Sequence, residues 1–133
     1  MKNVEIVANL NNLMNFINRE MNANKPFINT IAKFKLKKNL KALKEAHAPY
    51  NECLQDLINQ YELETDNNGN IIFKSDDKDK QAKVQIELQQ LMQAENNVKL
   101  EMITDKDFTE DCLLGDMLLL DFMVSEVEED GRE

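Results

Sequence analysis

The side chains able to do covalent or acid–base chemistry are few, and their spacing decides what they could do together. His47 is the single histidine, and the thiols are Cys53 and Cys112. A zinc site needs three or four ligands, and these three residues show no ligand spacing. A Cys–His nucleophile pair needs the thiol beside the imidazole, yet Cys53 sits about 240° from His47 around a shared helix. Ser75 and Ser125, the two serines, stand in no nucleophile motif. Gly69, Gly115 and Gly131 are too far apart for a phosphate-binding loop. The sequence therefore points to no catalytic residue, no cofactor site and no enzyme activity.

A calcium loop is the closest approach to a metal site. Counted from Glu64, oxygen-bearing side chains fall at Glu64, Asp66 and Asn68, with Gly69 and Ile71 following in EF-hand order. The last position, however, is Ser75 where a bidentate Glu is needed, and Asn68-Gly69 is a common hairpin turn. The reading is a β-hairpin with Leu63 and Thr65 on one side and Ile71 and Phe73 on the other, and no metal.

Two surfaces carry binding potential instead. Lys33, Lys37, Lys41 and Lys44 share one helical face in a stretch of six lysines without an acidic residue. They form a solvated face, paired with the acidic C-terminal third, or a dock for an acidic partner or RNA. The second surface is the run Leu113 to Phe122, with Leu113, Leu114, Met117, Leu118, Leu119, Leu120 and Phe122 leaving almost no polar side. A helix apolar all round must be covered on all sides. It is either a central core element or half of an interface, and Leu113, Met117, Leu119, Leu120 and Phe122 are its candidate partner-binding residues.

The elements that position these residues follow from apolar periodicity. Val7, Leu10, Met14, Ile17 and Met21 recur at spacings of three and four, which predicts a first helix. Val4 and Ile6 fit either a short strand or its first turn. Residues 22–26 break it, and Pro26 is placed to open the next helix. There Leu36, Leu40, Leu43, His47, Tyr50, Leu54, Leu57 and Tyr61 hold a four-three alternation, a stripe that wants a partner helix along its length. Pro49 within it predicts a kink near residues 45–49. After the hairpin, Ser75, Asp76 or Asp77 can cap a third helix with Val84, Leu88, Leu91 and Met92 on one face. Val98, Leu100 and Met102 alternate with polar neighbours as in a half-buried strand. Thr109 can cap the leucine-rich helix, with Glu110 and Asp111 in its first turn.

The 133 residues, 42% of them apolar, suit one domain with a modest core. No apolar run approaches the roughly 20 residues that span a bilayer, and no targeting segment is visible. A cytoplasmic protein with both cysteines reduced is the expectation, without membrane association. The net charge of −9 argues against direct nucleic-acid binding. It permits an acidic surface that occupies a nucleic-acid site. The expected organisation is a domain over 1–124 and an acidic tail over 125–133.

Taken in order, Ile31-Ala32-Lys33, then Lys38-Asn39-Leu40-Lys41-Ala42-Leu43, the proline-containing helix, the Asp66-Asn67-Asn68-Gly69-Asn70 hairpin, the charged helix, the Val98-x-Leu100-x-Met102 segment and Leu119-Leu120-Asp121-Phe122-Met123 form a pattern. It resembles a family of small proteins of unknown function from tailed bacteriophages and prophages. Members of that family often carry Glu-Pro where this chain has Ala48-Pro49. The resemblance implies a phage gene product acting in the bacterial cytoplasm and carries over no catalytic or ligand residue. The expected fold is α+β, mainly α: a long antiparallel helical hairpin, a small β-hairpin and strand, and a Leu-rich C-terminal helix. The expected function is a non-enzymatic protein–protein interaction module that binds a host or phage protein or itself as a homodimer. The alternative is an inhibitor of a bacterial defence or nucleic-acid enzyme with an acidic decoy surface.

Overall fold

Asn3–Ala23 form helix α1 in the computed structural model, which describes residues 1–73 and 78–125. Val4 to Val7 therefore belong to a helix, not a strand. Glu5 reaches back to accept the Lys2 N–H at 2.7 Å, satisfying a donor that every helix start leaves open. Asn24 ends the helix in the left-handed region (φ 55°), and its N–H returns to the carbonyls of Glu20 and Met21. The inward line is Ile6, Leu13 and Phe16. It lies roughly 90° round from the centre of the expected Val7–Met21 stripe, and Met21 is exposed. Eight apolar residues from Ile6 to Ile17 cover more than one face, so spacing alone does not select the buried one.

Helix α2 spans Thr30–Gln60. Pro26 does not open it. Asn29 does, accepting the Ala32 N–H on its side chain at 2.8 Å. The residues between are used for tertiary pairing: Phe27 and Ile28 are buried, and Ile28 pairs antiparallel with Phe108. All eight residues of the four-three stripe are covered: Leu36, Leu43 and Leu57 fully, the other five in part. The helix continues as one element through Pro49, where the Glu45 carbonyl loses its usual donor.

Helix α1 covers the first half of α2, and Asn96 fixes their relative direction. Its side-chain amide donates to Asn3 Oδ1 at 3.1 Å and to the Ala46 carbonyl at 2.9 Å. The start of α1 thus lies beside the middle of α2, as an antiparallel hairpin requires. Ile6, Leu13, Phe16, Leu36, Leu43, Ile103, Leu120 and Met123 belong to the main core between and beneath these helices. Beyond Pro49, α2 is covered by α3 (Lys78–Gln93). Leu57, Ile58 and Val84 are buried here, outside the main cluster. The Tyr61 hydroxyl donates to Glu87 across the pair. Leu88, Leu91 and Met92 are half-buried as the third-helix face required, and Ile86 is exposed.

Strands β1 (Glu64–Thr65) and β2 (Ile71–Ile72) form the predicted hairpin, with Glu64 opposite Ile72 and Thr65 opposite Ile71. Gly69 adopts φ 84°, a conformation that L side chains resist. Asp66 closes the turn by accepting the Asn68 and Asn70 N–H groups at 2.8 and 2.9 Å. The Asn70 bond leads in holding its carboxyl below the usual carboxylate range, against some loss of hydration. Ser75, Asp76 and Asp77 lie outside the described residues, as do residues 126–133.

Two expectations fail after α3. Residues 98–102 form no strand, and the inward alternation of Val98 and Leu100 shifts: Met102 is exposed and Ile103 is fully buried. The cause is a different set of backbone partners. Asn39, buried on α2, donates to the Glu101 carbonyl at 2.8 Å and accepts the Glu101 N–H at 2.7 Å. The Ile103 N–H then donates to the Met123 carbonyl at 2.9 Å. A side chain and a single bridge to Val124 replace a ladder.

The Leu113–Phe122 helix is also absent as drawn. Helix α4 is only Leu114–Leu118, followed by a 3-10 turn at Asp121–Met123. Here the N–H of Leu120 bonds to the Met117 carbonyl and that of Met123 to the Leu120 carbonyl, at 3.1 and 2.9 Å. The three-residue spacing of these turns brings Leu120 and Met123 inward together. Thr109 is no helix cap, since its hydroxyl donates to the Pro26 carbonyl at 2.6 Å. Ser125, placed in the acidic tail by the sequence, is tied to the domain by its N–H on the Ile103 carbonyl at 2.8 Å. No helix among the described residues is long and apolar enough to cross a membrane.

Candidate functional site

The end of α1 and the short helix α4 meet in a ridge flanked by clefts. An extended crossing seats them. Segment 25–29 runs against 107–109: the Asn29 N–H donates to the Asp107 carbonyl and the Thr109 N–H to the Phe27 carbonyl, each at 2.9 Å. The Asn29 amide donates to Asp107 Oδ1 at 2.8 Å, and Asp107 Oδ2 accepts the Thr104 N–H at 2.9 Å. The Thr104 bond leads in holding the Asp107 carboxyl below its usual range, against partial desolvation. Lys25 and Asp111 add an ion pair at 3.8 Å.

Arg19 stands at the centre of this region. It pairs with Asp116, whose side chain is only 3% exposed while that of Arg19 is 60% exposed. A carboxylate this buried needs its charge met, and the guanidinium meets it from the surface side. Arg19 also lines two clefts of about 440 Å³ each. One is bounded by Asn22, Phe27, Asp111 and Leu113, the other by Asn15, Asn18, Gly115 and Leu119. On the same short helix and its first flanking residue, Leu113, Leu114 and Leu118 are 67%, 71% and 60% exposed. Neighbouring Cys112 is buried, and loss of hydration, with the charges of Asp116 and Glu20, pushes its thiol up to about 11. It is therefore a neutral packing group at neutral pH.

The predicted partner-binding set divides in two. Of Leu113, Met117, Leu119, Leu120 and Phe122, only Leu113 is exposed. Leu120 is fully buried, and Met117, Leu119 and Phe122 pack half-buried against the core. The exposed members are instead Leu114 and Leu118. The break at Leu119 leaves Leu113, Leu114 and Leu118 outward and brings Leu120 and Met123 inward.

Lys33, Lys37, Lys41 and Lys44 lie on α2. Lys33 pairs with Glu20 at 3.8 Å. Lys37, Lys41 and Lys44 are exposed and make no ion pair among the described residues. His47 is half-buried with its ring 5.7 Å from that of Tyr50, one turn on, and Cys53 is exposed. Among the described residues, no three His, Cys, Asp or Glu side chains stand together in a way that could hold a metal ion.

Sequence reasoning missed the polar residues that position these parts. Asn3, Asn39 and Asn96 each bond a distant backbone carbonyl or side chain, and Asn3 and Asn39 are buried. A signal existed for Asn39: it falls between Leu36 and Leu43 on the inward face of α2, where a polar side chain needs a partner. Comparison with family models, with curated proteins and with solved structures gave no match, so the phage-family resemblance rests on the residue pattern alone.

Proposed function

We propose that the chain is a non-enzymatic protein–protein interaction module that docks a protein partner on the Leu113–Leu118 ridge. The observation that supports it is the exposure of three leucines on one short helix and its first flanking residue, a segment whose Leu113 and Gly115 line two clefts. Clustered apolar surface of this kind marks interaction sites more often than chance exposure does. Glu110 and Asp121 are exposed on either side in the chain, so the fitting partner surface is apolar with basic residues at its edges. In keeping with the resemblance, the partner is a phage or host protein of the bacterial cytoplasm.

Affinity capture from phage-infected bacteria tests this when the chain is compared with its Leu114→Ser, Leu118→Ser variant. Both leucines are exposed, so the variant should fold. A partner retained by the parent chain and lost by the variant supports the reading, and equal retention by both contradicts it.

A second reading, an acidic decoy for a nucleic-acid enzyme, draws on the stretch Glu45 to Phe73. It holds six carboxylates and no lysine or arginine. Capture of such an enzyme that is lost on Glu52→Lys, Asp56→Lys and kept by the leucine variant would favour it.

A further inference from the structure

The outward face of α2 divides by charge, and we infer that it docks a second copy of this chain, antiparallel, along the same face. On the side opposite the core, one row runs Phe34, Lys38, Lys41, Glu45, Ala48, Glu52, Gln55 and Asn59. Its spacings of four and three keep it on one side of the helix. Every one of these residues is exposed. All six lysines of α2 precede Glu45, and every acidic residue of α2 follows Lys44. Lys37, Lys41, Lys44, Glu45, Glu52 and Asp56 make no ion pair among the described residues.

The order of charge does nothing for the helix itself. Its first turn holds no acidic residue and its last turn no basic one, the reverse of what the helix dipole favours. It does fit a two-fold partner. Inverted about the point between Ala46 and His47, the row falls onto itself: Phe34 faces Asn59, Lys38 faces Gln55, Lys41 faces Glu52 and Glu45 faces Ala48. The same inversion sets Lys37 opposite Asp56. Each contact occurs twice, as a two-fold interface requires. Ala48 near the axis leaves room for close approach of the two helices, and exposed Ile31 and Phe34 supply apolar contact at the ends. A parallel arrangement would instead set lysine against lysine. The row is mostly polar, so the dimer belongs to the weak, salt-sensitive class.

Sedimentation of the full chain at about 100 µM in low salt should show a monomer–dimer equilibrium that shifts to monomer as salt screens the charges over a few ångströms. Lys41→Glu should weaken association about tenfold or more, because it sets like charges opposite each other. Lys41→Glu combined with Glu52→Lys should restore it, since the two-fold axis returns an opposite charge to every pair. Both positions are exposed, and circular dichroism checks that each variant folds. A parent chain monomeric at low salt overturns the inference, and so does a double variant no better than the single. Dimerisation abolished by Leu114→Ser, Leu118→Ser also overturns it, because it would place the contact on the leucine ridge. Unchanged dimerisation of that variant supports the α2 face whatever partner the ridge binds.

Discussion

Asn39 does for residues 98–103 what a neighbouring strand would do, bonding both the N–H and the carbonyl of Glu101 from a buried position. Asn39→Ala leaves two backbone groups without their partner at once and should cost about 2–4 kcal/mol, read from urea unfolding. The cysteines differ in a way that labelling can read. Cys53 is exposed, while Cys112 is buried with its thiol pushed up to about 11. Iodoacetamide at neutral pH should modify Cys53 in the folded protein and reach Cys112 only on unfolding; equal rates would place Cys112 at the surface. Asp107 sets an acid limit. Its native carboxyl lies below the usual range because it accepts the Thr104 N–H and the Asn29 amide. Its stabilising contribution is present above the unfolded value of about 3.9 and is lost as pH falls through the native value. Asp107→Asn should lessen the loss of melting temperature below about pH 4, and an unchanged acid limb would show that these bonds carry no net stability.

At the scale of elements, legibility followed the strength of the repeat. The α2 stripe held one spacing over about seven turns, and every member is covered. The Asn-Gly turn announced its hairpin because few other residues accept φ 84°. Where apolar residues crowd, the signal vanished. In α1 they occupy several faces, so the buried line depends on where α2 and residues 103–123 pack. In Leu113–Phe122 seven apolar residues gave no period, and the chain met the demand for cover by breaking the helix instead of burying it. This division predicts opposite outcomes for similar changes. Leu120→Ala should cost about 2–5 kcal/mol, as for other buried leucines. Leu118→Ala should stay within about 0.5 kcal/mol, as at exposed positions. Similar losses for both would mean that the ridge is covered.

Over the whole molecule, the fold class was open to sequence reading, and the site in part. Helix number, the hairpin and the antiparallel packing of α1 on α2 follow from local pattern. The placement of α4 does not, because it depends on bonds joining residues far apart in the chain: Pro26 to Thr109, Arg19 to Asp116, Ile103 to Met123. The leucines that could bind a partner therefore became separable from those that hold the core only once the fold was known. The central claim is that the Leu113–Leu118 ridge is the docking surface. Hydrogen exchange on the chain with and without its captured partner tests it most directly. Slowed exchange at the amides of residues 113–119 on complex formation is the predicted result. Protection confined to other elements, with exchange at 113–119 unchanged, would contradict it.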